Sequence, residues 1–335
     1  MSDAPVNGSS PVASGTRPLV APELLPWLDI FPSISLSDES LALMRSGGGR
    51  GMTPPPLSPE QQAVGCEERF APGPRGAPDV RVLVYTPPDR AAPCPAYLHM
   101  HGGGYVLGDP EINDGSNRTI AAEQGCIVVS VDYRLAPETR FPGALEDCYA
   151  ALLWLHAEAG RLGVDRARIA IGGESAGAGH AAALALLARD RGEAPICFQL
   201  LDSPMLDDRT GSGADPHPYC GEFAWTPAHN RFGWSALLGV AAGGPDVPAA
   251  AAPSRATDLG GLPPTFIAIG ALDLFLEESM EYARRLIRAG VPTELHVIPG
   301  AFHGFAFAGG DAPQVQALLR FRGDALARAF VPAQD

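Results

Sequence analysis

The stretch Ile169-Ala170-Ile171-Gly172-Gly173-Glu174-Ser175-Ala176-Gly177 decides the fold, because it joins a short apolar strand to an alanine-rich helical segment. Glycine tolerates strained dihedral angles and close backbone approach, so Gly173 and Gly177 allow a sharp strand-to-helix turn around Ser175. Such a turn exposes the serine hydroxyl at the helix N-terminus. A glycine-rich turn with a serine N-cap gives the same pattern. The position between strand and helix nevertheless makes Ser175 a candidate nucleophile.

The same alternation of strand and helix continues on both sides of this turn. The apolar and β-branched runs predict strands over Val80–Tyr85, Ala96–Met100, Ile127–Val131, Ile169–Ile171, Ile196–Leu201, Thr265–Ile269 and Glu294–Ile298. Helical patterns cover Ala144–Ala159, Ala176–Arg189, Glu277–Ala289 and Pro313 to about Phe330. This order predicts an α/β protein with a mostly parallel central sheet flanked by helices on both faces.

Two regions depart from that rhythm. Residues 1–17 are rich in Ser, Gly, Pro and Ala and are expected to form a flexible tail. A helix is predicted to begin near Ser37-Asp38-Glu39. Within 205–262, Thr226 and Pro227 are typical of the N-cap and first residue of a helix between two long loops. We expect this segment to be an insertion lying over the sheet.

Composition excludes several function classes. The chain has 335 residues, of which 46% are apolar, so it is not disordered throughout. Its 38 acidic and 24 basic residues give a net charge of −14, which disfavours nucleic acid and anionic membranes as partners. The longest apolar run, Ala181–Ala188, is far shorter than the ~18–20 residues that span a bilayer. The amino terminus lacks the features of a signal peptide, and the six cysteines form no CxxC pair, so a cytoplasmic protein with reduced thiols is expected.

A second candidate element is His101-Gly102-Gly103-Gly104, directly after an apolar strand. Consecutive glycines reduce stability unless their amides are needed, and converging N–H groups bind a developing oxyanion. No Gly-Lys-Ser/Thr follows, which argues against a phosphate loop. His99 and His101 are spaced to share a metal ion, but no third ligand lies at suitable spacing, and no metal is predicted. We expect His101 to anchor its own loop by hydrogen bonds.

Two further candidates follow later strands. Asp273 comes directly after the strand that ends at Ile269, and His303 follows the strand Glu294–Ile298. A histidine suits a general base, and a carboxylate can fix its tautomer. The order Ser175, Asp273, His303 is that of a triad on such a sheet, where ligands bind at the carboxyl ends of strands. The pair Asp207-Asp208 is interpreted as loop salt bridges beside Arg209.

With these motifs the sequence resembles the hormone-sensitive-lipase family of α/β-hydrolases, the bacterial carboxylesterases. The resemblance runs from about Leu41 to Phe330. It rests on His101-Gly102-Gly103-Gly104, Tyr133-Arg134-Leu135-Ala136-Pro137-Glu138, Gly173-Glu174-Ser175-Ala176-Gly177, Asp273-Leu274-Phe275 and Phe302-His303-Gly304-Phe305. It implies an α/β-hydrolase fold with a helical cap. The implied divisions are a tail (1–17), two cap segments (18–55 and 205–245) and a catalytic α/β domain in two parts (56–204 and 246–335).

The resemblance also implies roles. Ser175 would be the nucleophile, His303 the base and Asp273 its orienting acid. The N–H groups of Gly103, Gly104 and Ala176 would form the oxyanion hole. Glu174 departs from the Asp or Thr usual before the nucleophile, and Asp202 stands where a more apolar residue is expected; neither residue has an assigned role.

The predicted function is therefore hydrolysis of short- to medium-chain esters by a serine carboxylesterase that needs no cofactor. Its partner would be a small-molecule ester, and dimers in the family imply a homodimer. An amidase, lactonase or deacetylase with the same triad stays open, as does a non-catalytic ligand-binding receptor on this fold.

Overall fold

The computed structural model describes residues 15–29, 35–48, 56–213, 215–307 and 310–332. Its described part contains one eight-stranded sheet in the order β1-β2-β4-β3-β5-β6-β7-β8. The strands are β1 (Gly65–Ala71), β2 (Val80–Thr86), β3 (Cys94–Met100), β4 (Ile127–Val131), β5 (Val164–Glu174), β6 (Phe198–Asp202), β7 (Thr265–Gly270) and β8 (Thr293–Ile298). The pairs β1–β2 and β2–β4 are antiparallel, and the remaining pairs are parallel. The predicted mostly parallel sheet is confirmed.

Helices cover both faces of the sheet. The α-helices are α1 (Leu25–Leu28), α2 (Asp38–Leu43), α3 (Pro59–Ala63), α4 (Asp114–Gln124), α5 (Gly143–Leu162), α6 (Ala176–Arg191), α7 (Pro227–Leu238), α8 (Leu276–Arg288) and α9 (Pro313–Ala329). Successive strand side chains point to opposite faces. Accordingly Ile169 and Ile171 pack in the apolar cluster with α5, α6 and α8, whereas Ala170 packs in the cluster with α4 and α9. The central strands are buried on both faces, which explains why their sequences are continuous apolar runs.

The seven predicted strands are present within a few residues, but β1 and α4 were not predicted. Strand β1 reads GCEERFA and is largely exposed at the antiparallel edge, so it carries no apolar alternation. Helix α4 reads DGSNRTIAAEQ and buries only Asn117, Ile120 and Ala121. Its apolar face is too narrow to give a periodic signal.

The amino-terminal segment is docked on the core. Val20 and Leu24 are buried, and the N–H of Ala21 donates to the carbonyl of Gly300 at 3.0 Å. Thr16 is also buried, and its backbone N–H donates to Glu222 at 2.6 Å. The docked segment therefore includes Thr16, which the sequence assigned to the tail; residues 1–14 of that tail lie outside the described residues.

Helices α2 and α7 bring the two remaining segments onto a third apolar cluster. Each begins with a capping box, formed by Ser37 with Ser40 in α2 and by Thr226 with His229 in α7. Leu41 of α2 and Trp234 of α7 pack in one cluster with residues 105 and 106, next to the glycine turn. Within the described ranges no helix is long and apolar enough to cross a bilayer.

Candidate active site

Ser175 occupies a strained turn between β5 and α6. Its backbone has φ 54° and ψ −119°, a conformation that side-chain-bearing residues rarely adopt. The N–H of Ser175 donates to the carbonyl of Asp202 at 2.8 Å. Its carbonyl accepts from the N–H groups of Gly179 and Met205 at 3.0 and 3.1 Å. These bonds to two neighbouring elements hold the strained conformation.

The flanking glycines are required by space. A Cβ on Gly173 or on Gly177 would lie 2.1 Å from the carbonyl oxygen of Met100, far inside contact distance. Helix α6 and strand β5 can approach β3 this closely only without side chains at both positions. The glycines thus place the serine hydroxyl at the carboxyl edge of the sheet.

Ser175, His303 and Asp273 form one hydrogen-bonded chain. The Ser175 Oγ lies 3.0 Å from His303 Nε2, and His303 Nδ1 lies 2.8 Å from Asp273 Oδ2. Asp273 is wholly buried, and its other oxygen accepts the N–H of Phe275 at 3.0 Å. Three residues from the ends of β5, β7 and β8 therefore meet in the arrangement of a nucleophile, a base and an orienting acid.

The glycine turn after β3 lies beside this chain. A Cβ on Gly102 would be 3.5 Å from Cβ of Ser175, so the turn lies next to the side chain of Ser175. Gly103 and Gly104 have φ values of 129° and 60°, and a Cβ on either would clash at 2.0 Å with Leu107 or Trp225. Ala176 is the first residue of α6, where a backbone N–H has no intrahelical acceptor. The glycine turn and the first residue of α6 thus both lie next to Ser175.

Trp225 bounds this space from the insertion. Its indole Nε1–H donates to Asn230 at 3.3 Å, which fixes the ring. The ring lies against Gly104, and its centroid is 6.3 Å from that of His303. The side chain therefore spans the gap between the glycine turn and the imidazole. The sequence offers no signal that singles out Trp225 among the aromatic residues of the insertion.

His101 anchors the glycine turn, as predicted. It stacks on Tyr133 at 4.3 Å between ring centroids, and its Nδ1–H donates to the carbonyl of Gly102 at 2.8 Å. The hydroxyl of Tyr133 in turn donates to the carbonyl of His101 at 2.6 Å. Burial lowers the pKa of His101 to about 4, so the ring is neutral at neutral pH.

His99 has different partners from His101. Its Nε2 lies 2.9 Å from a Glu174 carboxylate oxygen, and its Nδ1 lies 3.0 Å from the hydroxyl of Ser130. Burial opposes ionisation of Glu174, but the attraction and hydrogen bond of His99, together with the nearby charge of Arg322 and the neighbouring His101, outweigh it and lower the carboxyl pKa. The sequence left Glu174 without a role. Through its side chain this residue, directly before Ser175, is held to His99 of strand β3. Among the residues that the structure describes, no group of three His, Cys, Asp or Glu side chains could hold a metal ion.

Asp202 lies at the end of β6, directly opposite Glu174 in the sheet. Its Oδ2 is 3.4 Å from Arg322 of α9, and Arg322 also donates to Ser116 at 2.9 Å. Burial raises the pKa of Asp202 to about 6 despite the nearby guanidinium. The partner could not be read from the sequence, because Arg322 is 120 residues away.

The carboxylates of Asp207 and Asp208 form separate ion pairs. Asp207 pairs with Arg209 at 2.6 Å, as predicted for this loop. Asp208 is fully buried and pairs instead with Arg255 at 2.5 Å. It also accepts the N–H of Gly243 at 2.8 Å, so Asp208 joins the two ends of the 205–245 segment to each other, and its ion pair with Arg255 joins them to the following part of the chain.

His180 is a second buried neutral imidazole next to the glycine turn. It packs edge-on against Tyr105 and Tyr133, with ring centroids 4.8 Å apart in both cases. Burial, and to a lesser degree the neighbouring His101, lower the pKa of His180 to about 3.

The stability of the protein should therefore fall at acid pH. An unfolded imidazole binds a proton below about 6.5, whereas folded His180 stays neutral down to about pH 3. The unfolded state thus binds more protons in this window, and unfolding becomes easier as the pH drops. His180 alone should cost about 2 kcal/mol between about pH 7.5 and pH 5. Urea unfolding of wild type and His180→Gln at both pH values measures this, because the variant lacks that part of the loss. An equal loss in both proteins would contradict the assignment.

Comparison with known proteins places the chain in a family. A profile for the alpha/beta hydrolase fold matches residues 97–307. Esterase LipI of Mycobacterium tuberculosis is 37% identical over 303 residues, covering 89% of this chain and 91% of that protein. Carboxylesterase NlhH of the same organism is 38% identical over 295 residues, covering 86% and 89%. The solved structure of a bacterial heroin esterase has a TM-score of 0.87 and 40% identity, covering 95% of this chain and 100% of that one.

The eight-stranded sheet, with a serine, an aspartate and a histidine at the ends of its strands, defines an α/β-hydrolase. Within that class the chain belongs to the hormone-sensitive-lipase family of carboxylesterases, and it is a carboxylic ester hydrolase.

Proposed function

We propose that the protein is a serine carboxylesterase that hydrolyses short- to medium-chain esters of small molecules through a covalent acyl-enzyme. The observation that carries this proposal is the chain from Ser175 Oγ through His303 to the buried Asp273, next to the glycine turn. Trp225 closes the space above Gly104, which favours compact substrates over long acyl chains.

In the first half of the reaction, Ser175 Oγ attacks the ester carbonyl carbon while its proton passes to His303 Nε2. Asp273 keeps the Nδ1 proton in place and stabilises the imidazolium that forms. The carbonyl oxygen becomes an oxyanion that accepts hydrogen bonds from the N–H groups of Gly103, Gly104 and Ala176. His303 then gives its proton to the alcohol oxygen as the bond to the acyl carbon breaks, and the alcohol leaves.

In the second half, water repeats the attack. His303 removes a proton from a water molecule whose oxygen bonds to the acyl carbon, and the same N–H groups hold the second oxyanion. The proton then returns to Ser175 Oγ as the acyl–serine bond breaks, which releases the carboxylic acid. In these reaction steps His303 accepts and donates every proton that is transferred, so no cofactor is proposed.

A substrate panel tests the proposal. Aryl esters of increasing acyl length should be hydrolysed, with kcat/KM highest for the short and medium chains. Matched aryl amides, lactones and acetylated small molecules separate an esterase from an amidase, lactonase or deacetylase. A fluorophosphonate probe should label the wild type at Ser175. A protein that neither turns over any ester nor reacts with the probe would be a ligand-binding module, and the proposal would be wrong.

The first cap segment should be needed for stability and activity. Leu24 and Leu41 are buried against the core, and each fully buried large apolar side chain contributes roughly 1.5–3 kcal/mol. Deleting residues 1–50 should therefore lower the melting temperature, expose an apolar patch and sharply reduce aryl-ester hydrolysis. Deleting residues 1–14, which carry few large apolar side chains, is the matched control and should change neither quantity. Full activity and stability after the longer deletion would show that 18–50 is no part of the working enzyme.

We also infer a cytoplasmic location and a homodimer. All six cysteines are free thiols, which suits a reducing compartment.

Strand β8 lies at the sheet edge with Val297 exposed, and the neighbouring α8 exposes Met280 and Ile287. An apolar edge of this kind fits a second copy of the chain. Light scattering after size exclusion tests the dimer, and a monomer at micromolar concentration would refute it.

A further inference from the structure

The orientation of the Gly104 N–H depends on the residues that follow the glycine turn. The carbonyl of Gly103 accepts the N–H groups of Val106 and Leu107 at 3.1 and 2.9 Å. A trans peptide is planar, with its C=O and N–H pointing in opposite directions. The two bonds that point the Gly103 carbonyl toward 106–107 therefore point the N–H of Gly104 the other way. The orientation of this oxyanion donor is thus set by the position of Val106.

Arg45 holds Val106 in that position. Its Nε and Nη2 both donate to the Val106 carbonyl, at 2.9 and 2.7 Å. Nη2 also donates to the carbonyl of Ala136 at 2.5 Å, and Nη1 contacts both oxygens of Glu138 at 2.8 Å. The planar guanidinium, with donors in a fixed fork, can grip three groups at once.

Arg45 links Val106 to the loop at Ala136, and this loop is also hydrogen-bonded directly to the residue that follows the glycine turn. The N–H of Ala136 donates to the carbonyl of Tyr105 at 3.0 Å. Arg45 therefore closes a ring of hydrogen bonds that runs from Val106 through Ala136 to Tyr105. Since Arg45 lies two residues after the end of α2, the first cap segment is the element that braces the turn.

We propose that Arg45 is a positioning residue for the oxyanion hole, which couples docking of the first cap segment to orientation of the Gly104 N–H. This inference rests on the proposed function. Arg45 touches neither substrate nor nucleophile in this role; it acts through the Val106 carbonyl. Its loss should weaken stabilisation of the transition state more than binding of the substrate.

The test compares Arg45→Ala with wild type and with Glu138→Gln. Removing one oxyanion donor outright costs about 10²–10³ in kcat, so loosening one should lower kcat by about 10- to 100-fold. KM should stay within about threefold, because the ground-state contacts remain. Inhibition by an arylboronic acid, whose tetrahedral serine adduct mimics the transition state, should weaken in parallel with kcat. Glu138→Gln is the control, because it removes the exposed ion pair and leaves the bonds to Val106 and Ala136; its kcat should stay near wild type.

Chemical rescue separates positioning from simple loss of stability. Millimolar guanidinium chloride, far below denaturing concentration, should restore part of the kcat of Arg45→Ala, whereas equal sodium chloride should not. Should Arg45→Ala fail to fold, Arg45→Lys takes its place: it keeps the charge but not the fork, and a reduced kcat at unchanged KM supports the proposal.

Several outcomes would overturn the proposal. They are a folded Arg45 variant with wild-type kcat, a change confined to KM, and an equal loss in Glu138→Gln. If wild type hydrolyses no ester at all, the proposed function fails and this inference falls with it. If wild type is active and the Arg45 variant is equally active, only the inference fails.

Discussion

Replacing Ser175 with alanine should lower kcat for aryl-ester hydrolysis by several orders of magnitude in a protein that still folds. Within the described part of the chain the Ser175 hydroxyl makes one hydrogen bond, to His303, so its removal takes little from the stability of the turn. The attacking atom itself is lost, and activity above the uncatalysed rate then depends on substrate binding and the N–H donors alone. Steady-state kinetics with phenyl acetate and labelling by a fluorophosphonate probe measure the loss.

Ser203 provides a control with similar backbone strain. It follows β6, has φ 46°, and donates its N–H to the carbonyl of Ala268 at 2.7 Å. Ser203→Ala should keep kcat within about tenfold of wild type and should still react with the probe, because substitutions without a broken interaction have small effects. A Ser175→Ala variant with a tenth of the wild-type activity would rule out Ser175 as the nucleophile.

The meeting of Ser175, His303 and Asp273 could be predicted from the sequence because it follows from the topology of the sheet. In a parallel sheet the carboxyl ends of the strands meet at one edge, so residues that follow different strands come together. Ser175, Asp273 and His303 each follow a predicted strand, and the structure brings all three within hydrogen-bond distance in a chain. Local patterns also predicted the helix start at Thr226, because a cap acts within one helical turn.

The parts that were missed depend on partners distant in sequence. The ion pair of Asp202 with Arg322 and the hydrogen bond from Thr16 to Glu222 join residues 120 and 206 positions apart. Arg45 binds the backbone carbonyls of Val106 and Ala136. Because every residue has a backbone carbonyl, the residue types in the sequence do not identify these acceptors. Only the folded chain can show which arginine braces the glycine turn.

Asp273, the proposed orienting acid, has two other carboxylates close to it in the sequence, Glu277 and Glu278, and the three side chains have different surroundings. Asp273 is fully buried against His303, whereas Glu277 is exposed on α8. Glu278 is also buried, but its carboxylate accepts the N–H of Leu206 at 2.7 Å and faces the insertion. Burial raises the pKa of Glu278 well above its ordinary value, which suits a hydrogen-bonded structural carboxyl.

Asp273→Asn should therefore slow turnover on the order of 10⁴-fold, by analogy with the general serine-hydrolase template. An asparagine amide would donate a hydrogen bond to Nδ1, which forces the imidazole proton onto Nε2. That nitrogen could then no longer accept the proton of Ser175, although the geometry would be intact. The loss corresponds to about 5.5 kcal/mol of transition-state stabilisation.

Glu277→Gln, the matched control on α8, should leave kcat nearly unchanged, because the Glu277 side chain faces solvent. Kinetics of both variants on one aryl ester, with melting temperatures to show that each is folded, decide the assignment. A large loss in Glu277→Gln together with a small loss in Asp273→Asn would move the acid to α8, and the chain from Ser175 through His303 would then end on a different carboxylate.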